Sequence, residues 1–307
     1  MLPEKQSFRI GVVQLISAMC IAGTIGVLVV ESGQLPTNIV FFRCLIGALS
    51  LVLIALVTGD LSLRGITRKD WMLIGVGGAC LVYNWLFLFM SYQTISLSLG
   101  TVVYHIKPFV IMLVGAFLFS ERLTGHSIAW TVLAFIGMLL VVEISFDSLH
   151  MEASKALGIL YALIAALMYS ASTLIVKYVR SASGIKIALL QTSLGVVLLS
   201  PFTQLSELTL GEGAWIFLLT LGVVNTGVMY SLNYSAYQRL PSYSIAVLSF
   251  IYPIVTIVTD YIFYGFLFNW VQLIGVVLIF AATLGVNLGW RILPKLSFRK
   301  TINDRST

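Results

Sequence analysis

Residues 104–124 read YHIKPFVIMLVGAFLFSERLT, and residues 249–258 read SFIYPIVTIV. Each is an apolar run with a proline in its middle, Pro108 in the first and Pro253 in the second. A Tyr-Gln pair precedes each proline at the same interval, Tyr92-Gln93 and Tyr237-Gln238, so both features recur at an offset of 145 residues. Further upstream, Phe42 to Gly47 aligns with Leu190 to Gly195 at an offset of 148. A fixed-offset self-similarity of this kind indicates a duplicated unit, here with small insertions between the copies.

Working outward, the chain of 307 residues is 59% hydrophobic and only 10% charged, with a mean hydropathy of +1.01. A soluble domain carries about a quarter charged residues, so water is not the main solvent of this chain. Apolar runs of roughly 20 residues, each long enough to cross a bilayer core as a helix, recur throughout. They predict ten spans at about 9–30, 36–58, 71–91, 96–119, 125–143, 155–177, 184–204, 212–237, 241–265 and 270–290. The expected fold is an all-α integral membrane protein with ten transmembrane helices arranged as two inverted five-helix repeats. This single transmembrane domain comprises repeat one over about 9–143, repeat two over about 155–290, and a short tail over 291–307. Five is an odd number, so the second copy enters the membrane from the opposite face, and such repeats place a solute site near the midplane between the copies.

The net charge of +6 does not form one basic face. Fifteen of the 18 Lys and Arg residues fall in loops or termini on one side, from Lys5 and Arg9 to Arg239, Arg291 and Arg305. Only Lys155 falls on the other side, while Arg43 and Lys107 lie inside spans. Basic residues are retained in the cytoplasm, so both termini are expected there, in a bacterial inner membrane, with lipid as solvent and no nucleic-acid partner. The first apolar run is too long for a signal-peptide core and is expected to remain as the first span. Cys20, Cys44 and Cys80 lack metal-type spacing and are expected to pack in the core. Gly285 and Gly289 have small-residue spacing that suits close helix packing, within the bundle or at a homodimer contact.

Charged residues deep in a bilayer cost about 2.5 to 3.5 kcal/mol each on insertion scales and default to functional positions. Three qualify. Lys107 lies near the middle of the fourth span, and Arg43 and Asp260 lie in the outer halves of the second and ninth. Arg43 with Asp260 reads either as an ion pair fixing the packing or as part of the site, with Asp260 the one deep carboxylate available for coupling to protons. If the pair forms, Lys107 has no carboxylate left and is expected to meet a carboxylate on the solute, or to sit neutral. His105 is about 200° around an uninterrupted helix from Lys107 and reads as packing. Pro108 and Pro253 each remove one helical hydrogen bond, freeing the Tyr104 and Ser249 carbonyls as acceptors and serving as hinges. Thr226, Tyr230, Asn233 and Tyr237 form a polar stripe on the eighth span, as do Ser242, Ser249, Tyr252, Thr256 and Asp260 on the ninth. The expected solute-binding set is Lys107, Tyr104, Arg43, Ser249, Tyr252, Tyr230 and Asn233. Trp71, Trp215 and Trp290 read as interfacial anchors.

The run FFRCLIGAL around Arg43, the run from Tyr104 to Thr124 with its Glu121, and SFIYPIVTIV together resemble the drug/metabolite transporter superfamily, in its ten-helix EamA-type branch, over essentially the whole chain. Arg43, Pro108, Glu121 and Pro253 match positions that recur in that family. The first span lacks the Trp-Gly pair common there, and Phe266 stands where the second copy usually has its own glutamate. The resemblance implies an exporter of metabolites, amino acids or drugs. There is no Walker loop, H-E-x-x-H motif or pocket pair of carboxylates, which argues against a primary pump, a metal site, a cofactor or an enzyme. The chain is therefore expected to be a secondary exporter of amino acids or related small organic metabolites, working by alternating access. The competing readings are an exchanger of phosphorylated or nucleotide-linked anions, which Arg43 and Lys107 could bind together, an intramembrane enzyme, and a membrane scaffold.

Overall fold

The structure, a computed structural model, describes residues 4–95, 97–142, 153–204, 206, 214–265 and 269–292. Glu143, Asp147, Glu152, Glu207, Glu212, Phe266 and the tail beyond Ile292 fall outside those residues. The helices are α1 (Glu4–Ala22), α2 (Ile25–Ser32), α3 (Pro36–Val57), α4 (Arg68–Thr94), α5 (Leu97–Tyr104), α6 (Lys107–Leu118), α7 (Gly125–Val142), α8 (Ala153–Tyr178), α9 (Gly184–Leu199), α10 (Ala214–Gly222), α11 (Met229–Tyr237), α12 (Ser242–Leu248), α13 (Ile251–Tyr264) and α14 (Trp270–Leu288). A 3-10 turn, Ser200–Phe202, extends α9, and a π-helical turn, Val223–Val228, joins α10 to α11. Together they form ten stretches long and apolar enough to cross a membrane. The third span, Arg68–Thr94, starts and ends about three residues beyond its expected limits, because Thr67 caps it by accepting the Asp70 N–H at 3.1 Å.

Why four of the ten spans are interrupted follows from the chain itself. Proline has no N–H and is tolerated only where none is needed, in the first turn of a helix. Each deep proline therefore sits in the first turn of a restarted helix: Pro108 in α6 and Pro253 in α13. The chain tightens just before each restart. His105 N–H bonds Val102 O at 3.1 Å and Ile106 N–H bonds Val103 O at 3.2 Å; in the second copy, Phe250 N–H bonds Val247 O at 3.1 Å. The first span breaks at Gly23–Thr24, and the eighth widens into the π turn.

The more extensive contacts set the first span against the eighth, the second against the seventh and eighth, the third against the sixth and seventh, the fourth against the sixth and ninth, and the fifth against the tenth. Exchanging each span with the one five places along the chain turns every one of these pairs into a pair that is also in contact. Close approach requires missing side chains at two of these contacts. A Cβ on Gly47 would lie 2.4 Å from Thr226 Cγ2, and one on Gly275 would lie 2.5 Å from the Gly137 carbonyl oxygen. Gly285 likewise packs within the bundle, against Trp130, but Gly289 is the left-handed residue that ends α14, so the pair is not one packing motif. Cys44 is buried as expected, whereas Cys20 is exposed and does not pack in the core.

One face of the bundle collects the loops after the second, fourth, sixth and eighth spans. Lys186 pairs with Asp60 at 2.8 Å and Lys177 with Glu121 at 2.9 Å, while Gln238 Nε2 donates to Ala182 O at 2.9 Å. The start of α1 and the end of α14 lie on the same face: Glu4 and Lys5 line one cavity with Arg180 and Gln238, and Trp130 Nε1 donates to the Trp290 carbonyl at 3.0 Å. The first span thus begins at the face where the sixth ends, and the two run in opposite directions.

Candidate functional site

The two proline breaks meet at the centre of the bundle. His105, in the first break, stacks at 5.6 Å from the Tyr252 ring and 6.1 Å from the Phe250 ring of the second. A cavity of about 70 Å³ lies beside them, lined from the first, second, third, fourth, sixth, eighth and ninth spans. Its walls include all seven residues of the expected solute-binding set: Lys107, Tyr104, Arg43, Ser249, Tyr252, Tyr230 and Asn233. Trp85, Tyr169, Met19 and Met229 also line it and were not foreseen, because an aromatic or methionine in an apolar span carries no local mark that separates a cavity wall from ordinary core. Pro108 and Pro253, expected as hinges, stand next to the cavity residues Lys107 and Tyr252 without lining the cavity themselves.

Lys107 is the residue whose setting is least settled by the protein. It is 9% exposed, and among the described residues its ammonium has no carboxylate within salt-bridge distance. Three tyrosine rings surround it instead, Tyr104 at 3.9 Å, Tyr169 at 4.6 Å and Tyr252 at 5.8 Å from its Nζ. The cage is itself tied down. Tyr104 OH donates to Asn84 Oδ1 at 3.3 Å, Asn84 Nδ2 donates to Ala165 O at 2.9 Å, and the Tyr169 and Tyr237 hydroxyls lie 2.7 Å apart. Ring faces attract a cation by about 0.5 to 2 kcal/mol. That is less than the insertion cost of a deep lysine, so the cage softens the penalty without cancelling it.

Arg43 is fixed differently and does not pair with Asp260. Its guanidinium stacks 4.3 Å above Trp85, its Nε donates to Thr226 Oγ1 at 3.3 Å and its Nη2 donates to Asn225 O at 3.4 Å. The π turn makes this arrangement, because widening the helix turns the Asn225 carbonyl and the Thr226 hydroxyl toward the second span, where Gly47 leaves room for them. Asp260 is half-buried on α13, makes no ion pair among the described residues, and does not line the cavity. Among the described residues both deep cations therefore have no acidic partner, although the charge count in the sequence allowed one to be paired.

Two further expectations change. The Ser249 carbonyl is not left for a solute, since it accepts the Tyr252 N–H at 3.4 Å, whereas the Tyr104 carbonyl receives no backbone N–H among the described residues. His105 and Lys107 are not separated by 200° of helix, because α5 ends at Tyr104 and α6 starts only at Lys107, and both approach Tyr252. His105 Nδ1 lies 2.7 Å from Thr101 O, and its Nε2 is buried without a hydrogen-bond partner, as is Asn233 Oδ1 in the cavity wall.

Between the cavity and the loop-bearing face stands a plug. Glu121 pairs with Lys177 at 2.9 Å and accepts the Ser242 N–H, the first of α12, at 2.7 Å, while Lys177 also donates to the Leu240 carbonyl. Lys177 is eight residues beyond Tyr169 on α8, about 12 Å of helix. Beyond the plug, a vestibule of about 1570 Å³ opens on the loop-bearing face between the starts of α1 and α12 and the end of α14. Ligand pockets usually hold about 300 to 1,000 Å³, so at about 70 Å³ the central cavity is contracted and closed off from this vestibule.

Comparisons with known proteins agree with this architecture. The description "EamA-like transporter family" matches the chain twice, over residues 9–143 and 156–288, so the same unit is found in each half. The uncharacterized transporter YxxF of Bacillus subtilis is 33% identical over 88% of this chain and 87% of its own length. A Salmonella typhimurium protein named "Probable amino-acid metabolite efflux pump" is 26% identical over 72% of this chain and 78% of its own. The threonine/homoserine exporter RhtA of Salmonella typhimurium is 25% identical over 69% and 70%. One solved crystal structure superimposes with a TM-score of 0.81 over 94% of this chain and 98% of that chain at 18% identity, which establishes the fold alone.

Proposed function

The chain belongs to the EamA-like transporter family and is a multi-pass membrane transporter, and from that premise we propose that it exports amino acids or related small carboxylated metabolites. The observation that carries this reading is Lys107, a buried cation at mid-span that lines a cavity and has no carboxylate within salt-bridge distance among the described residues. A solute carboxylate supplies the missing charge. At about 4 Å and an effective dielectric near 20, such a pair is attracted by about 4 kcal/mol, more than aromatic rings provide. Arg43 faces the same cavity and adds a second, rigid donor. The two relatives named for amino-acid export support the choice of solute class.

Alternating access rests on the two halves acting as inverted repeats. The repeated family match, the opposed first and sixth spans and the span contacts kept when the halves are exchanged support that relation. Opening and closing occur at the two breaks beside Pro108 and Pro253, where no continuous helix has to bend. Both termini face the cytoplasm of a bacterial inner membrane, on the side where basic residues concentrate. A reporter active only outside the cytosol should therefore stay silent when fused after Thr307. The function itself is tested by counterflow in proteoliposomes loaded with proteinogenic amino acids or with their decarboxylated amines. Exchange of amino acids and not of amines is expected; exchange that favours the amines would overturn the proposal.

A further inference from the structure

We propose that a second site, away from the transport cavity, binds the phosphate headgroup of an anionic phospholipid between the fifth and tenth spans at the loop-bearing face. A cavity of about 390 Å³ lies there, and its charged and titratable lining residues are Arg122, His126, Tyr243 and Arg291, with no carboxylate among them. Among the described residues neither arginine makes an ion pair, and the nearby Glu121 is already committed to Lys177 and the Ser242 N–H.

The pocket is built on fixed elements. Trp130 Nε1 holds the Trp290 carbonyl at 3.0 Å, Gly285 lies against the Trp130 ring, and the left-handed Gly289 turns the chain so that Arg291 lines the same space as Arg122. On the opposite wall α7 begins. Thr124 caps it by accepting the Ser127 N–H at 3.1 Å, and the positive end of that 18-residue helix faces the same space. The Thr124 and Ser127 hydroxyls lie 3.0 Å apart, which leaves one hydroxyl proton free, and with two guanidiniums and a helix N-terminus it makes up the donor set a phosphate diester requires.

A free phosphate and a lipid share this chemistry, and the surroundings favour the lipid. Ile128 and Val132 of α7, one turn apart and next to the pocket residue Ser127, are each 41% exposed and offer an apolar surface for acyl chains. Trp290, half exposed at the rim, sits where aromatic side chains meet headgroups. Basic pockets between membrane helices on the positively charged side have this recognition pattern.

The test is thermal unfolding of the detergent-purified protein with added phosphatidylglycerol, phosphatidylcholine or inorganic phosphate. Phosphatidylglycerol should raise the melting temperature by roughly 3 °C or more, with little effect from the other two. The R122A/R291A variant should lose that shift. R64A/R68A, which removes equal charge from another loop on the same face, should keep it. Should R122A/R291A fail to fold, R291Q replaces it, read by the loss of phosphatidylglycerol retained in native mass spectra. A shift with inorganic phosphate alone would assign the site to a soluble anion and overturn the lipid assignment. An equal response in R64A/R68A and R122A/R291A, or no response in the wild type, would overturn the site.

Discussion

The two proline-broken spans are copies of one device, and only the first places a charge in the cavity wall. At the 145-residue offset, Tyr104 corresponds to Ser249, His105 to Phe250, Lys107 to Tyr252 and Pro108 to Pro253. The backbone consequence is the same in both, a helix that stops and restarts so that the proline falls in its first turn. The side chains then diverge. The first copy brings an ammonium into the cavity, and the second brings the tyrosine ring that lies 5.8 Å from it. Duplication supplied the scaffold, and substitution in one copy placed the charge between symmetry-related residues. On the proposed reading, hinge and recognition are separable: the breaks belong to both halves, and the cavity's lysine to one.

The largest effect should therefore come from removing the charge and keeping the break. Lys107→Gln should slow counterflow of carboxylated solutes by about 30-fold or more, equivalent to about 2 kcal/mol, and slow neutral analogues by less than about threefold. Its melting temperature should equal or exceed that of the wild type, because an uncompensated buried cation has been removed. Equal losses for both solute types would show that Lys107 supports the fold and not recognition. Next in size is Arg43→Lys, expected to cost roughly tenfold in transport, since an ammonium cannot reproduce the stack on Trp85 together with two fixed donors. An unaltered rate would remove Arg43 from the site.

The paired hinge variants probe what the copies share. Pro108→Ala and Pro253→Ala should each slow transport by roughly three- to tenfold at normal levels of folded protein, because a continuous helix resists opening. Wild-type rates in both would reduce the prolines to packing; an effect in only one would break the equivalence drawn here. Smallest of all, His105→Phe makes the first copy resemble the second at that position. It should change transport by less than about twofold, since it keeps a ring against Phe250 and Tyr252. A larger loss in counterflow would give His105 a part in the chemistry.

What could be read in advance divides along physical lines. Ten spans, their order and the two proline positions are written locally, in hydropathy and in a residue without an N–H, and so are the polar stripes of the eighth and ninth spans. The partners of the charges are not local. Lys107 meets Tyr169 across 62 residues, and Arg43 meets Thr226 across 183, a contact that depends on a π turn which no local pattern announces. Counting deep charges suggested Arg43 with Asp260, yet a stacked indole and two neutral oxygens hold the guanidinium. The ring argument for His105 and Lys107 assumed a helix that the following proline interrupts. Glu121 was marked only by resemblance, and its reason is visible in the plug, where one carboxylate holds Lys177 and the first N–H of α12.

The central claim is that Lys107 binds the solute carboxylate, and calorimetric titration of the purified protein tests it most directly. The ligands are the amino acid with the fastest counterflow and its amino alcohol, which lacks only the carboxylate, each added to the wild type and to Lys107→Gln. The account predicts that the wild type prefers the acid by at least about tenfold in Kd and that Lys107→Gln binds both alike and weakly, a coupling of about 1.4 kcal/mol or more. A Lys107→Gln protein that still prefers the acid by the wild-type ratio would contradict it.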